Sequence, residues 1–177
     1  MRLDVSIDLP FPRKDIFVVY RDKLPDLVPY LPNVRGITVT SRTDEGHVSK
    51  LVNHWKGGGD IPAAVRKFLS DDLLEWDDHA TWDEQKFTTH WRTIVPAFRD
   101  AVDAEGWNTY EELTPTSTRY KIAGELKVDA GKIKGVPRLL SGTVSPLVEK
   151  FLVGSIKPNL VSVAKGVEAF LRKQQGP

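Results

Sequence analysis

The chain has 177 residues, with 25 basic and 24 acidic side chains and a formal charge of +1; it is long enough for one domain with its own core and too evenly charged to track nucleic-acid phosphates. It contains no cysteine, which excludes thiol nucleophiles, disulfide scaffolds, Cys-ligated zinc and iron-sulfur clusters. Apolar runs such as 16–20 fall far short of the ~20 residues that span a bilayer, and the opening MRLDVSIDLP alternates charged with aliphatic residues, unlike a secretory signal. We expect a soluble, cytoplasmic protein with one domain over residues 1–177.

Leu3, Val5, Ile7 and Leu9 alternate with Arg2, Asp4, Ser6 and Asp8, the period of a strand with one buried face. Pro10 and Pro12 stop that ladder, and Pro12 suits the first position of a short helix carrying Ile16, Phe17, Val19 and Tyr20. The proline-punctuated run 24–32 allows one or two helical turns at most. Gly36–Arg42 and His47–Lys56 read as a hairpin around Thr43-Asp44-Glu45-Gly46. After Gly57-Gly58-Gly59, Asp60 can cap a helix through Leu69. Leu73–Trp82, Gln85–Val95, Ala101–Leu113 and Thr118–Val128 then form an antiparallel meander separated by turn residues.

The last of these strands sets Tyr120, Ile122, Gly124, Leu126 and Val128 on one face and Arg119, Lys121, Glu125 and Lys127 on the other. Its cover is the segment Val144–Arg172, whose large apolar residues follow helical spacing. Pro158 lies inside it and is expected to kink or split the helix.

This order of elements resembles the START-like fold (SRPBCC, Bet v 1-like), which implies an α+β helix grip: a curved antiparallel sheet wrapped around a long C-terminal helix. Ile61-Pro62 opening an inserted helix, Tyr120-Lys-Ile-Ala-Gly-Glu-Leu-Lys-Val128 and Lys165-Gly-Val-Glu-Ala169 are similar to the PRELI-like phospholipid-transfer branch. That resemblance implies a non-catalytic protein without a cofactor, binding or transferring a phospholipid or another hydrophobic ligand between sheet and helix. It further implies Lys165 as a head-group lysine, Ser162 where the branch has asparagine, and Lys23 as a second basic residue.

A pocket of that kind gains affinity from apolar lining. The lining candidates are Trp55, Trp91, Tyr120, Ile122, Leu126, Phe151 and Ile156, each equally suited to plain core packing. Gly124, Gly154 and Gly166 either leave room for an acyl chain or let backbones pack closely. Gly57, Gly58 and Gly59 lack the Gly-Lys-Ser/Thr ending of a phosphate loop and suit a mobile lid. Lys132, Lys134 and Arg138 among aliphatic residues suit either transient docking on an anionic membrane or a solvated loop.

The four His show no metal-binding spacing, and His47 and His54 fall on opposite strand faces. Asp71-Asp72 and Asp77-Asp78 read as solvent-facing turn and strand-edge charges, and no Gly-x-Ser-x-Gly elbow presents a nucleophile. The rival reading is a polyketide cyclase or aromatase-like cavity enzyme using His54, His90, Tyr120 or Glu111 for proton transfer; a third is an interaction module with a filled cavity. A cavity-facing His bonded to a carboxylate would favour the enzyme.

Overall fold

The computed structural model describes residues 2–58, 75–96, 99–132 and 141–176. The opening alternation is realised as β1 (Arg2–Leu9), with Leu3 and Leu9 buried. Pro12 caps helix α1 (Arg13–Asp22) instead of occupying its first turn, and its carbonyl accepts the amides of Asp15 and Ile16. Ile16, Phe17, Val19 and Tyr20 form the buried face of α1. The prolines of the next segment hold it to a 3-10 helix, Leu24–Tyr30.

Six consecutive strands follow: β2 (Val34–Glu45), β3 (Val48–Gly57), β4 (Glu75–Asp83), β5 (Thr88–Ile94), β6 (Val102–Thr114) and β7 (Ser117–Val128). They pair antiparallel in sequence order, and β1 adds to β7, giving the order β1-β7-β6-β5-β4-β3-β2. The first hairpin closes tighter than the four-residue turn expected, since Glu45 pairs with Val48 and Gly46 takes a φ of 63°. That backbone region favours glycine. The inserted helix expected after Gly59 lies outside the described residues.

Helix α2 (Ser141–Gln174) runs unbroken through Pro146 and Pro158, so the expected split does not occur. Gly154 and Pro158 are both exposed, and four residues is the spacing of the helical hydrogen bond. The carbonyl that Pro158 leaves without an amide donor therefore belongs to a residue on the wetted side of α2. Ala164, Val167 and Leu171 are the buried stripe of its second half. A Cβ on Gly166 would stand 2.7 Å from Leu31 Cδ2, so the 3-10 segment packs directly on the helix backbone.

α1 closes one end of the concave face. The Phe17 ring meets Trp82, Phe87 and Tyr110 edge-on at 5.2 to 5.3 Å. The Thr118 hydroxyl donates to the Phe11 carbonyl at 2.8 Å and pins the approach to α1 onto β7.

Candidate functional site

Cross-strand register defines what the concave face presents. One row runs Leu51, Ala80, Trp91, Gly106, Gly124 and Leu3. The row beside it runs Ser49, Trp82, Thr89, Asn108, Ile122 and Val5, and on the other side Asn53 stands opposite Asp78, which stands opposite Thr93. Trp55 and Trp76 continue the surface as a stacked pair, 5.6 Å apart and 14° from parallel. Polar residues on this face therefore fall in two rows, Asn53–Asp78–Thr93 and Ser49–Thr89–Asn108, with Leu51, Ala80 and Trp91 between them.

Asp78 is the unexpected member. It shares strand parity with Trp76, Ala80 and Trp82, so its side chain joins the inner surface and is no strand-edge charge. Burial pushes its carboxyl up to about 7, opposed in part by the Asn53 amide. Yet the residue retains accessible surface. Asp77, one residue earlier, points the other way and meets His54 Nδ1 at 2.8 Å.

Several neighbouring groups are buried without a close hydrogen-bond partner among the described residues: both amide atoms of Asn53, Thr89 Oγ1, Asn108 Oδ1, the Tyr20 and Tyr110 hydroxyls, and the indole nitrogens of Trp55, Trp82 and Trp91; Asn53 reaches Asp78, Thr89 and Asn108 reach Tyr110, and Tyr20 reaches Tyr120 only by longer, poorer contacts. Asn53 is 1% exposed and Thr89 0%. Buried polar groups are normally satisfied, so a concentration of open ones on one concave surface marks a place for water or ligand. Tyr120 lies at the centre of a tyrosine cluster, its ring 4.7 Å from Tyr20 and 5.0 Å from Tyr110. Burial raises the phenol of each, keeping them protonated hydrogen-bond donors.

Of the lining residues named from sequence, Trp55, Trp91, Tyr120, Ile122 and Leu126 are buried on the concave side and Ile156 is partly buried against the same core. The Phe151 side chain lies outside the described residues. Gly124 offers no room for an acyl chain: a Cβ there would stand 2.7 Å from Trp91 Cζ2 and 2.6 Å from the Glu105 carbonyl. Gly166 is likewise filled by Leu31, and Gly154 is exposed. Lys165 and Lys23 are exposed and Ser162 is half-buried. Gly57 ends β3, and the Gly58 amide donates to Asn33 O at 2.8 Å, so these two are held by the sheet and its flank. Lys132 lies 3.6 Å from Asp129. Gly59, Lys134, Arg138, Asp71 and Asp72 lie outside the described residues.

The proton-transfer candidates separate by face. His54 is on the convex side between Asp77 and Glu75, at 2.8 and 3.5 Å. His90 packs against the exposed Trp107, and Glu111 pairs with Lys121 at 2.7 Å. Only Tyr120 of that set faces inward. No group of three or more potential metal ligands occurs among the described residues, and no described helix is long and apolar enough to cross a membrane. An open depression of about 400 Å³ is lined by His79, Arg92, Thr93, Arg99 and Asp103 among others, so it reaches one end of the Asn53–Asp78–Thr93 row and holds the Arg92–Asp103 ion pair.

No protein-family model and no curated protein matches the chain. Among solved structures it is similar to an aromatase/cyclase from Streptomyces sp. R1128, with 12% identity, a TM-score of 0.67 and coverage of 98% of this chain and 94% of that one. A START superfamily protein from Mycobacterium smegmatis matches at 14% identity and a TM-score of 0.56, covering 98% of both chains. The chain has the START-like helix-grip fold. Norcoclaurine synthase from Thalictrum flavum, solved with dopamine and hydroxybenzaldehyde, shares the helix grip at 15% identity and a TM-score of 0.61, over 98% of this chain and 87% of that one. At such identities the likeness carries the helix-grip architecture, and the chemistry has to come from this chain's own inner surface.

Proposed function

We propose that this START-like domain holds a hydrophobic small molecule between the concave face of its sheet and α2. One observation carries the reading: Asn53, Asp78, Thr89 and Asn108 point inward among Trp55, Trp76, Trp91 and Tyr110, and Asn53, Thr89 and Asn108 are buried without a close hydrogen-bond partner among the described residues. Each unpaired buried polar group costs about 1–3 kcal/mol. A surface serving stability alone has no reason to gather them. In a binding site the aromatic walls supply affinity and the two polar rows orient the guest.

A compact guest with polar functions in its body suits this surface better than a phospholipid. The phospholipid-transfer reading rests on the segments 61–69, 120–128 and 165–169, with Lys165 and Lys23 receiving the head group at the rim. It takes second place because acyl chains would then lie against the polar rows and leave them unsatisfied.

Asp78 favours catalysis as an additional role. A carboxyl that titrates near neutrality can exchange a proton with a bound carbonyl compound at working pH. The solved aromatase/cyclase and norcoclaurine synthase carry the names of enzymes on the same fold.

Native mass spectrometry of protein purified from cells, followed by solvent extraction, tests the main reading. One polar-functionalised small molecule per chain is the expected result. A chain that stays empty after incubation with cell extract, together with no change in tryptophan fluorescence, counts against it. Recovery of a phospholipid would transfer the argument to the rim lysines.

A further inference from the structure

We infer that the concave face is built for a cationic amine, its protonated nitrogen seated against Asp78 and Asn53 and its apolar body lying along Trp55, Trp76 and Trp91. This rests on the ligand-binding reading above and names the ligand class. On the convex surface carboxylates stand beside basic groups: Asp77 meets the His54 imidazole, Glu111 has Lys121, Asp103 has Arg92 and Asp8 has Arg119. Asp78 has no ion-pair partner among the described residues. Its cross-strand neighbours are Asn53 on β3 and Thr93 on β5, both neutral, and Trp76 and Ala80 flank it on its own strand. Tyr120 is the titratable group on β7 that feels its charge. Tyr20 of α1 and the partly buried Ile156, Leu160 and Val163 of α2 bring no charge.

An inward carboxylate without a cation among the described residues is the costly element of this surface, and a ligand cation is what would repay it. The surroundings fit that cation. Asn53 Oδ1 is buried and unpartnered, so it can accept a second ammonium N–H. The stacked Trp55 and Trp76 and the buried Trp91 provide the indole faces that attract cations most strongly. A neutral carbonyl ligand would need donors, and Asn53 Nδ2 with the indole and tyrosine groups already supplies them without an ionisable residue. In the empty protein burial holds the carboxyl near 7, so an ammonium must ionise it on binding.

The test uses the full chain and three probes of one shape: 2-(1-naphthyl)ethylamine, the corresponding alcohol and the corresponding naphthylacetate, each titrated by calorimetry at several pH values. The amine should bind at least tenfold tighter than the alcohol at pH 8, and naphthylacetate weakest. Amine affinity should rise roughly tenfold per pH unit below about 7 and level off above it. Asp78→Asn should abolish the preference for amine over alcohol while the alcohol still binds. The wild-type pH profile stands independently of whether that variant folds. Equal binding of amine and alcohol, or amine affinity that falls as pH rises through 7, overturns the amine assignment and leaves the binding site intact. If none of the probes binds, the amine assignment fails; if native mass spectrometry also finds the chain empty, the binding reading fails with it.

Discussion

Asn53 and Asp78 are cross-strand partners on the concave face, while their chain neighbours His54 and Asp77 are partners on the convex face at 2.8 Å. One register thus places a neutral amide beside an inward acid and an ionisable histidine beside an outward one.

Asp78 carries a carboxyl whose native pKa, about 7, lies above the ordinary value near 3.9. From about pH 4 to 7 the native state keeps a proton that the unfolded chain has lost, so rising pH destabilises the fold through this group. The stabilisation is complete below pH 4 and gone above pH 7. Asp78→Asn should therefore gain stability over wild type as pH rises, reaching on the order of 3–4 kcal/mol above pH 7. Parallel denaturant titrations at pH 4.5 and 8 measure the difference, and a gap independent of pH would contradict the inward placement.

Gly106 and Gly124 are opposite one another on β6 and β7 beneath the Trp91 indole. A Cβ at Gly106 would meet the Ala123 carbonyl oxygen and lie 2.6 Å from Trp91 Cζ2. Gly106→Ala should lower stability by about 2–3 kcal/mol. Adding Trp91→Leu should not restore it, because backbone blocks the methyl as well. Gly166→Ala meets mainly the movable end of Leu31 and gains helix propensity, so its net change should stay within about 1 kcal/mol. Thermal unfolding of the three variants ranks them.

Arg21 joins the end of α1 to the β4–β5 turn through Glu84 at 3.0 Å and also contacts Asp22 at 2.9 Å, with only 13% of its side chain exposed. Asp22 is in turn held by Arg42 of β2 at 2.8 Å. Removing Arg21 leaves Glu84 without its cation and Asp22 with Arg42 alone, so Arg21→Ala should cost about 1–3 kcal/mol. Lys127→Ala, which breaks a pair exposed on both sides, should change stability by less than about 0.5 kcal/mol. Equal losses in chemical denaturation would refute the distinction.

Lys165 and Lys23 are both exposed. Lys165→Glu and Lys23→Glu should leave the melting temperature unchanged and alter affinity for the naphthyl probes by less than about twofold, because exposed charges are screened from the interior. A tenfold loss with acidic vesicles but not with the probes would assign the rim lysines to a phospholipid head group.

Much of this protein can be read from local pattern. Alternation in 2–9 and 117–128, the prolines between 10 and 32 and the helical spacing of 144–172 set strands, breaks and helices, because those periods follow from backbone geometry that each segment carries alone. The inward set was legible in part. In Glu75-Trp-Asp-Asp-His-Ala-Thr-Trp-Asp83, Asp78 shares parity with both tryptophans, and Asn53 likewise with Leu51 and Trp55. Treating acidic pairs as surface charges hides that signal. Tertiary structure alone decided that β1 adds to β7, that the Trp91 ring takes the space above Gly106 and Gly124, and that Asp78 stands opposite the neutral Asn53 and Thr93 with no cation beside it among the described residues. Those outcomes depend on strand register and on side chains meeting across long sequence separations, and a one-residue slip would have turned Asp78 outward and His79 in.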